Sequence, residues 1–392
     1  MLLRRLGFVI VALALLLASI QPAAAAGHAA PVYGRESAAA IADRYIVVFR
    51  SGTTRAAAAA AINSARAQGG RLHFQYAAAL NGFAATLPAR ALEAVSRNPN
   101  VAYIEADQVM SIDATQSPAT WGLDRIDQRN LPLNNSYTYN VTGTGVTAYI
   151  IDTGIRISHN EFGGRASVGT DTIGDGQNGN DCNGHGTHVA GTVGGSTYGV
   201  AKNVSLVAVR VLSCSGSGST SGVIAGVDWV TANARKPAVA NMSLGGSRST
   251  SLDTAVNNSI NSGVTYAIAA GNSNRNACNY SPARVSAAIT VGATTSTDAR
   301  ASYSNFGSCL DLFAPGSSIT SAWNTSNTAT NTISGTSMAT PHVAGVAALY
   351  LQTNTGASPA TVRDAIVNGA TPNVVSDAGR NSPNRLLYSL IP

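Results

Sequence analysis

The sequence predicts an α/β protein with a mostly parallel central sheet, preceded by a small α+β domain. Three observations carry that expectation. From Ala114 onward, near-continuous apolar runs of strand length alternate with helix-compatible stretches, the pattern of strands buried on both faces. Before Ala114 the order is strand, helix, strand, strand, helix, strand over about 65 residues, the order of a ferredoxin-like α+β sandwich. Charged residues make up only 11% of the chain while glycine numbers 39, which suits a compact, loop-rich protein with close backbone contacts.

The chain opens Met1-Leu2-Leu3-Arg4-Arg5, continues with an apolar run from Leu6 to Ile20, and then reads Gln21-Pro22-Ala23-Ala24-Ala25-Ala26. A positive start, a short apolar middle and an Ala-x-Ala end make residues 1–26 a secretory signal peptide. The run is too short for a membrane span, so an exported protein without stable membrane association is expected. Gly27 to Asp43 reads as a loose linker. Strands follow at Arg44–Phe49, Leu72–Tyr76, Gly82–Leu87 and Val101–Glu105, with helices at Ala56–Gln68 and Ala89–Ser96. Residues 27–113, structured over about 44–110, thus form the first domain and 114–392 the second. In the second, Val146–Ile151, Leu206–Leu212, Val239–Leu244, Val264–Ala270 and Ala287–Ala293 read as buried strands. Helices are expected from Val189, over Val223–Ala234 and Leu252–Asn261, and from Met338; Thr325–Asn331 reads as a surface loop. In such a sheet, ligands bind beyond the carboxyl ends of the strands, where Asp152 and Asn272 fall.

The pI near 9.3 does not point to nucleic acid. Ten arginines against six acidic residues lie before Ala114, whereas the remainder is nearly balanced, with 15 basic and 13 acidic residues. No basic run interleaved with aromatics occurs. The four cysteines, Cys182, Cys214, Cys278 and Cys309, contain no Cys-x-x-Cys pair. An even number in an exported chain favours disulfides over zinc and leaves three pairings open.

Four stretches carry chemistry. Gly335-Thr336-Ser337-Met338-Ala339 puts a serine among small residues where an apolar helix begins, within reach of free backbone N–H groups that can bind a developing anion. The same pattern serves as a simple N-cap. Ile150-Ile151-Asp152-Thr153-Gly154 ends a buried strand in a carboxylate, which is either a turn former or a group held in a fixed direction. Asn183-Gly184-His185-Gly186-Thr187-His188 presents His185 between glycines ahead of a helix. Two histidines three apart could bind a metal, but the His-Glu-x-x-His pattern is missing. Ala269-Ala270-Gly271-Asn272 closes an apolar strand with an amide, which either aims its NH2 above the sheet or forms a turn.

Taken in order, Asp152-Thr153-Gly154, His185-Gly186-Thr187-His188 and Gly335-Thr336-Ser337-Met338-Ala339 resemble the three signatures of subtilisin-like serine peptidases; the Asp…His…Ser order is itself a known mark of that family. From about Ala114 to Leu390 the chain is most similar to the proteinase K subfamily, aqualysin-type secreted enzymes in particular. The resemblance implies a three-layer fold and a secreted serine endopeptidase, made as a self-processing preproenzyme. Ser337 would attack the peptide carbonyl, His185 would carry its proton and Asp152 would orient the imidazole. Asn272 and the Ser337 N–H would hold the oxyanion. An esterase with a Gly-x-Ser-x-Gly elbow is excluded, because the serine motif ends in Ala339.

The same resemblance implies that Ser243, Leu244 and Gly245 face Gly216, Ser217 and Gly218 across an extended peptide, where glycines permit close backbone approach. Read alone, Ser215–Ser219 is a flexible loop. Gly245, Ala269 and Gly271 would border an apolar pocket for the residue before the scissile bond, giving broad specificity. Implied too are disulfides Cys182–Cys214 and Cys278–Cys309, and structural Ca²⁺ without a catalytic metal. One calcium site would use Asp311 with the carbonyls of Ser286 and Ala288; a second would use Asp124, Asp127 and Gln128, residues that otherwise read as a solvated helix face. At the second, Asn134 and Ser136 replace better oxygen ligands. Residues before Ala114 resemble the family's inhibitory, folding-assisting propeptide, cleaved between Asp113 and Gln116. A monomer acting on proteins and peptides, with no C-terminal pro-extension, is expected.

Overall fold

The computed structural model describes residues 29–37, 40–108 and 114–391. The expected signal segment, 1–26, and the Asp113 side of the expected cleavage region lie outside the described residues. The chain divides after Met110 into two compact units.

In the first unit five strands lie in the order Val32–Tyr33, Val101–Gln108, Ala40–Phe49, Gly82–Thr86, Arg71–Tyr76. Helices Arg55–Ala67 and Ala89–Ser96 supply Ala58, Ala61, Ile62, Ala65, Ala91 and Val95 to a core with Val47, Phe49, Phe83 and Ile104. Alanine at those helix positions suits both helix propensity and close approach to the sheet. Thr54 caps the first helix by accepting from the Ala57 N–H at 3.2 Å. The expected linker is not all loose: Val32–Tyr33 pairs parallel with Ile104–Glu105, and the central strand starts at Ala40. Long-range pairing, including Ile104 N–H to Pro31 O at 2.9 Å, orders a segment whose local composition carries no strand signal.

In the second unit a nine-stranded sheet runs Thr371–Pro372, Arg385–Leu386, Leu312–Pro315, Ile289–Thr294, Val264–Ala269, Ala238–Met242, Thr147–Asp152, Ser205–Arg210, Ala166–Asp171. Every pairing in it is parallel except that of Thr371–Pro372 with Arg385–Leu386. Alternation along each strand divides the core. Ala148 and Ile150 join Val239, Ala267, Ile289 and Val291 beneath helices His185–Gly194, Thr336–Thr353 and Pro359–Gly369. Tyr149 and Ile151 join Val209, Ala240, Met242 and Ile268 beneath Thr220–Asn233 and Thr250–Asn261 on the other face. The result is three layers, with side chains such as Ile150 and Ile268 fully buried and each worth roughly 1.5–3 kcal/mol.

The strand Thr147–Asp152 sits where the order reverses: later strands 238–315 build outward on one side, and 205–210 then 166–171 on the other. The crevice at such a switch point is where α/β sheets bind ligands. Asp152 ends that strand, paired in register with Arg210. The stretch expected as a loop before the serine is partly strand: Thr330–Ile333 pairs antiparallel with Ile319–Ala322. No helix among the described residues is long and apolar enough to cross a membrane.

Candidate active site

Asp152 is fully buried, and its Oδ1 lies 2.7 Å from His185 Nδ1. A carboxylate at Nδ1 makes that nitrogen the protonated one and leaves Nε2 free to accept a proton. The imidazole side chain is 24% exposed, open to the cleft on one edge. Burial works against the imidazolium, but the charge and hydrogen bond of Asp152 and the charge of Asp181 outweigh it, and the His185 pKa is raised.

His185 opens a helix, four residues earlier than the sequence suggests. A loop residue overlooked in the sequence, Asp181, holds that start. Its Oδ1 accepts from the Thr153 hydroxyl and from the N–H groups of Asn183 and Gly184, each at 2.9 Å. Its Oδ2 accepts from the N–H and hydroxyl of Thr187 at 2.9 and 2.6 Å. Thr153 Oγ1 also accepts from the Gly186 N–H at 2.9 Å, so the carboxylate strand and the histidine helix are tied directly. Gly184 has φ 111°, and a side chain there would meet the Trp323 ring. The sequence around Asp181 carries no local signal of this brace, because its burial and partners are set by the fold.

Ser337 is the second residue of helix Thr336–Thr353, half-buried. As placed, its Oγ donates to the Ser243 carbonyl at 3.0 Å. No hydrogen bond joins Ser337 to His185 among the described residues, and catalytic bonds often tighten only once substrate is bound. Asn272 lies just past the strand Val264–Ala269. Its Oδ1 accepts from the Thr336 N–H at 2.8 Å and the Thr336 hydroxyl at 2.9 Å, which fixes the amide so that its NH2 is left for another partner.

Two cavities adjoin these groups. One, of about 640 Å³, is lined by His185, Gly216, Ser217, Gly218, Ser243, Leu244 and Gly245, among others. The other, of about 270 Å³, is bordered by Gly245, Ala269, Gly271, Asn272 and Ser337, with no charged side chain in its lining. The residues expected to bind substrate are divided between these two cavities, which have Leu244, Gly245, Gly246 and Ser247 in common.

Disulfides join Cys182 to Cys214 and Cys278 to Cys309. Asp175 approaches the first pair, but its carboxylate is bonded to Arg210 and both sulfurs are spent on each other, so the cluster is not a metal centre.

The two expected calcium positions differ. Asp124 accepts from the N–H groups of Asn134 and Asn135, while buried Asp127 takes the Thr138 N–H on Oδ2 and keeps Oδ1 without a partner. Burial first, then the Asp124 charge, push the Asp127 pKa up to about 6. An orphaned buried carboxylate oxygen beside a second carboxylate fits a hard cation. Gln128 lies alongside, donating its amide to Pro132 O at 2.9 Å. The Asp311 position does not fit: Oδ2 accepts from the Thr290 N–H at 2.8 Å and Oδ1 from Arg363 Nη2 at 2.5 Å.

Comparison with known proteins places this site in context. A family model described as "Subtilase family" matches residues 143–387, and one described as "Peptidase inhibitor I9" matches 44–113. The chain is 60% identical over 390 residues to "Extracellular serine proteinase" of Thermus sp. (strain Rt41A), covering 95% of each. It is 57% identical over 366 residues to "Alkaline serine exoprotease A" of Vibrio alginolyticus, covering 90% of this chain and 68% of that one. A crystal structure of a cold adapted subtilisin-like serine proteinase matches with TM-score 0.69 and 63% identity, over 70% of this chain and all of the other. The chain belongs to the subtilase family: it is a serine endopeptidase with an I9-type inhibitor domain ahead of its α/β unit.

Proposed function

We propose that this enzyme hydrolyses peptide bonds through Ser337, His185 and Asp152 by way of an acyl-enzyme, with Asn272 in the oxyanion hole. The observation that carries the reading is the 2.7 Å contact of His185 Nδ1 with a fully buried Asp152 carboxylate, on a cavity also lined by Ser243, the residue hydrogen-bonded to Ser337. Ser337 Oγ leaves the Ser243 carbonyl, gives its proton to His185 Nε2 and bonds to the substrate carbonyl carbon. The oxygen, now an anion, is held by Asn272 Nδ2 and the Ser337 N–H; each such donor is typically worth about 10²–10³ in kcat. Collapse breaks the C–N bond, His185 protonates the leaving amine, and water then releases the acid by the same steps. The uncharged cavity beside Gly245, Ala269 and Gly271 supports a broad preference for apolar side chains before the scissile bond.

The same proposal includes synthesis as a secreted preproenzyme: residues 1–26 as signal, 27–113 as inhibitor and folding aid, and 114–392 as mature enzyme cut between Asp113 and Gln116. The I9 match and the extracellular relative support it. Ca²⁺ would be held by Asp124, Asp127 and Gln128, where it would neutralise adjacent carboxylates and fix the loop after helix Trp121–Ile126.

The test is the intact mass of secreted protein before and after a sulfonyl fluoride, with the adduct mapped. One adduct on Ser337, on a chain beginning between Ala114 and Gln116, and an inert Ser337→Ala variant are expected. A full-length, unlabelled chain that still digests casein would overturn the assignment.

A further inference from the structure

Asp311 precedes the strand Leu312–Pro315 with its side chain only 9% exposed, so its charge must be matched inside the protein. Its backbone N–H donates to Thr290 O at 2.9 Å while its Oδ2 accepts from the Thr290 N–H at 2.8 Å, which locks the carboxylate against the neighbouring strand. The remaining oxygen takes Arg363 Nη2 at 2.5 Å. Arg363 is not a loose surface side chain reaching in. It lies on helix Pro359–Gly369, whose Val362 and Ile366 are fully buried in the core and fix the backbone beside Asp311. Its Nε is buried, and its Nη1 is held by Asp364 Oδ1 at 3.2 Å.

We propose that the Arg363 guanidinium serves as a built-in cation at Asp311, so that this corner of the fold is locked without a metal ion. A divalent ion needs the same carboxylate oxygens at short range, and a guanidinium already bonded there opposes it by charge and by volume. The enzyme then relies on calcium at the Asp124–Asp127 position alone of the two considered, and the helix Pro359–Gly369 is tied to the sheet whatever the calcium concentration. Arg rather than Lys suits the role, because its planar, permanently charged head stays paired without reorganisation.

The experiment is equilibrium dialysis with radioactive calcium on protease-inhibited wild type, Asp311→Asn and Arg363→Met, with thermal midpoints in chelator and in millimolar calcium. Wild type and Asp311→Asn should bind the same number of ions. Arg363→Met should melt several degrees lower than wild type in chelator and recover part of that loss with calcium. Loss of one bound equivalent in Asp311→Asn would overturn the proposal. If that variant does not fold, Arg363→Met decides: an unchanged midpoint in chelator would also overturn it. The stoichiometry and melting readouts do not depend on the catalytic assignment.

Discussion

Ser243 and Ser337 exchange hydrogen bonds: Ser243 Oγ donates to the Ser337 carbonyl at 2.8 Å, and Ser337 Oγ donates to the Ser243 carbonyl at 3.0 Å. The first bond answers a gap in the helix. Residue 341 is proline, so the N–H that would bond the Ser337 carbonyl is missing. Buried Ser243, itself held by Asn241 Nδ2 at 2.9 Å, supplies the donor instead. Ser243→Ala leaves that carbonyl unsatisfied and should cost about 1–3 kcal/mol. It also frees the peptide that carries the nucleophile, so kcat should fall more than KM rises. Urea denaturation and steady-state kinetics on a peptide amide check both; an unchanged kcat would count against the role.

The Asp152–His185 contact sets a pH dependence. The working imidazole is neutral, and its pKa is raised, so kcat/KM should climb with pH through that raised value. Asp152→Asn removes the charge and the hydrogen bond that oppose burial. The acid limb should then move to lower pH while kcat drops by about 10⁴, through loss of the correct tautomer. A pH–rate profile of the two proteins decides. An acid limb that stays in place would mean another group titrates.

Much of this was legible from residue order, and the reasons are physical. Asp152, His185 and Ser337 each sit at a junction of strand or helix with loop, and local punctuation by glycine marks such junctions. The apolar runs likewise marked the strands, because a parallel sheet covered on both faces leaves no polar alternation to disguise them. What stayed hidden depended on distant partners. Asp181 braces the His185 helix through Thr153, Gly184 and Thr187, and nothing in its neighbours distinguishes it from a turn residue. The Arg363–Asp311 pair joins residues 52 apart, and the Val32–Tyr33 strand owes its order to Ile104–Glu105.

Two buried histidines should make the fold acid-sensitive. Burial is the main cause that lowers His188 and His342 to about 4, each with one ring nitrogen on a backbone carbonyl. In the unfolded chain both would titrate near the ordinary value of about 6.5. Between those values the unfolded state binds more protons, so stability is present above about 6.5 and declines as pH falls toward 4. Each histidine contributes a slope of up to about 1.4 kcal/mol per pH unit. Denaturation of the Ser337→Ala protein from pH 7 to 4.5 should show this decline, and His342→Leu should flatten it. An equal slope in both would assign the acid sensitivity elsewhere.

The two disulfides should differ in what their removal disturbs. They span 32 and 31 positions, so the chain-entropy model gives each roughly 3–4 kcal/mol. The Cys182–Cys214 bridge adjoins the larger cavity: Asn183 Nδ2 donates to Cys214 O at 3.0 Å, and Asn183, Gly216 and Ser217 line that cavity. Paired serine substitutions should lower stability at either place, yet only Cys182→Ser with Cys214→Ser should also raise KM. Equal KM values for the two double variants would remove the link between that bridge and the substrate edge.

Calcium at the Asp124–Asp127 position should stabilise the fold by an amount that falls as pH drops through about 6. Without a cation, burial and the Asp124 charge raise Asp127 to about 6. Proton uptake by the folded state then stabilises it below the ordinary carboxylate value, and this contribution is lost as pH rises through about 6. A cation needs the deprotonated carboxylate, so its benefit should be large at pH 8 and fade below 6 as the proton competes for the same oxygen. Asp127→Asn removes the like-charge repulsion with Asp124 and the unpartnered anionic oxygen together. The variant should therefore melt above wild type in chelator at pH 8, while gaining little from added calcium. Melting curves at pH 8 and pH 5, with chelator and with calcium, separate these effects. A variant as calcium-responsive as wild type would show that the ion binds elsewhere.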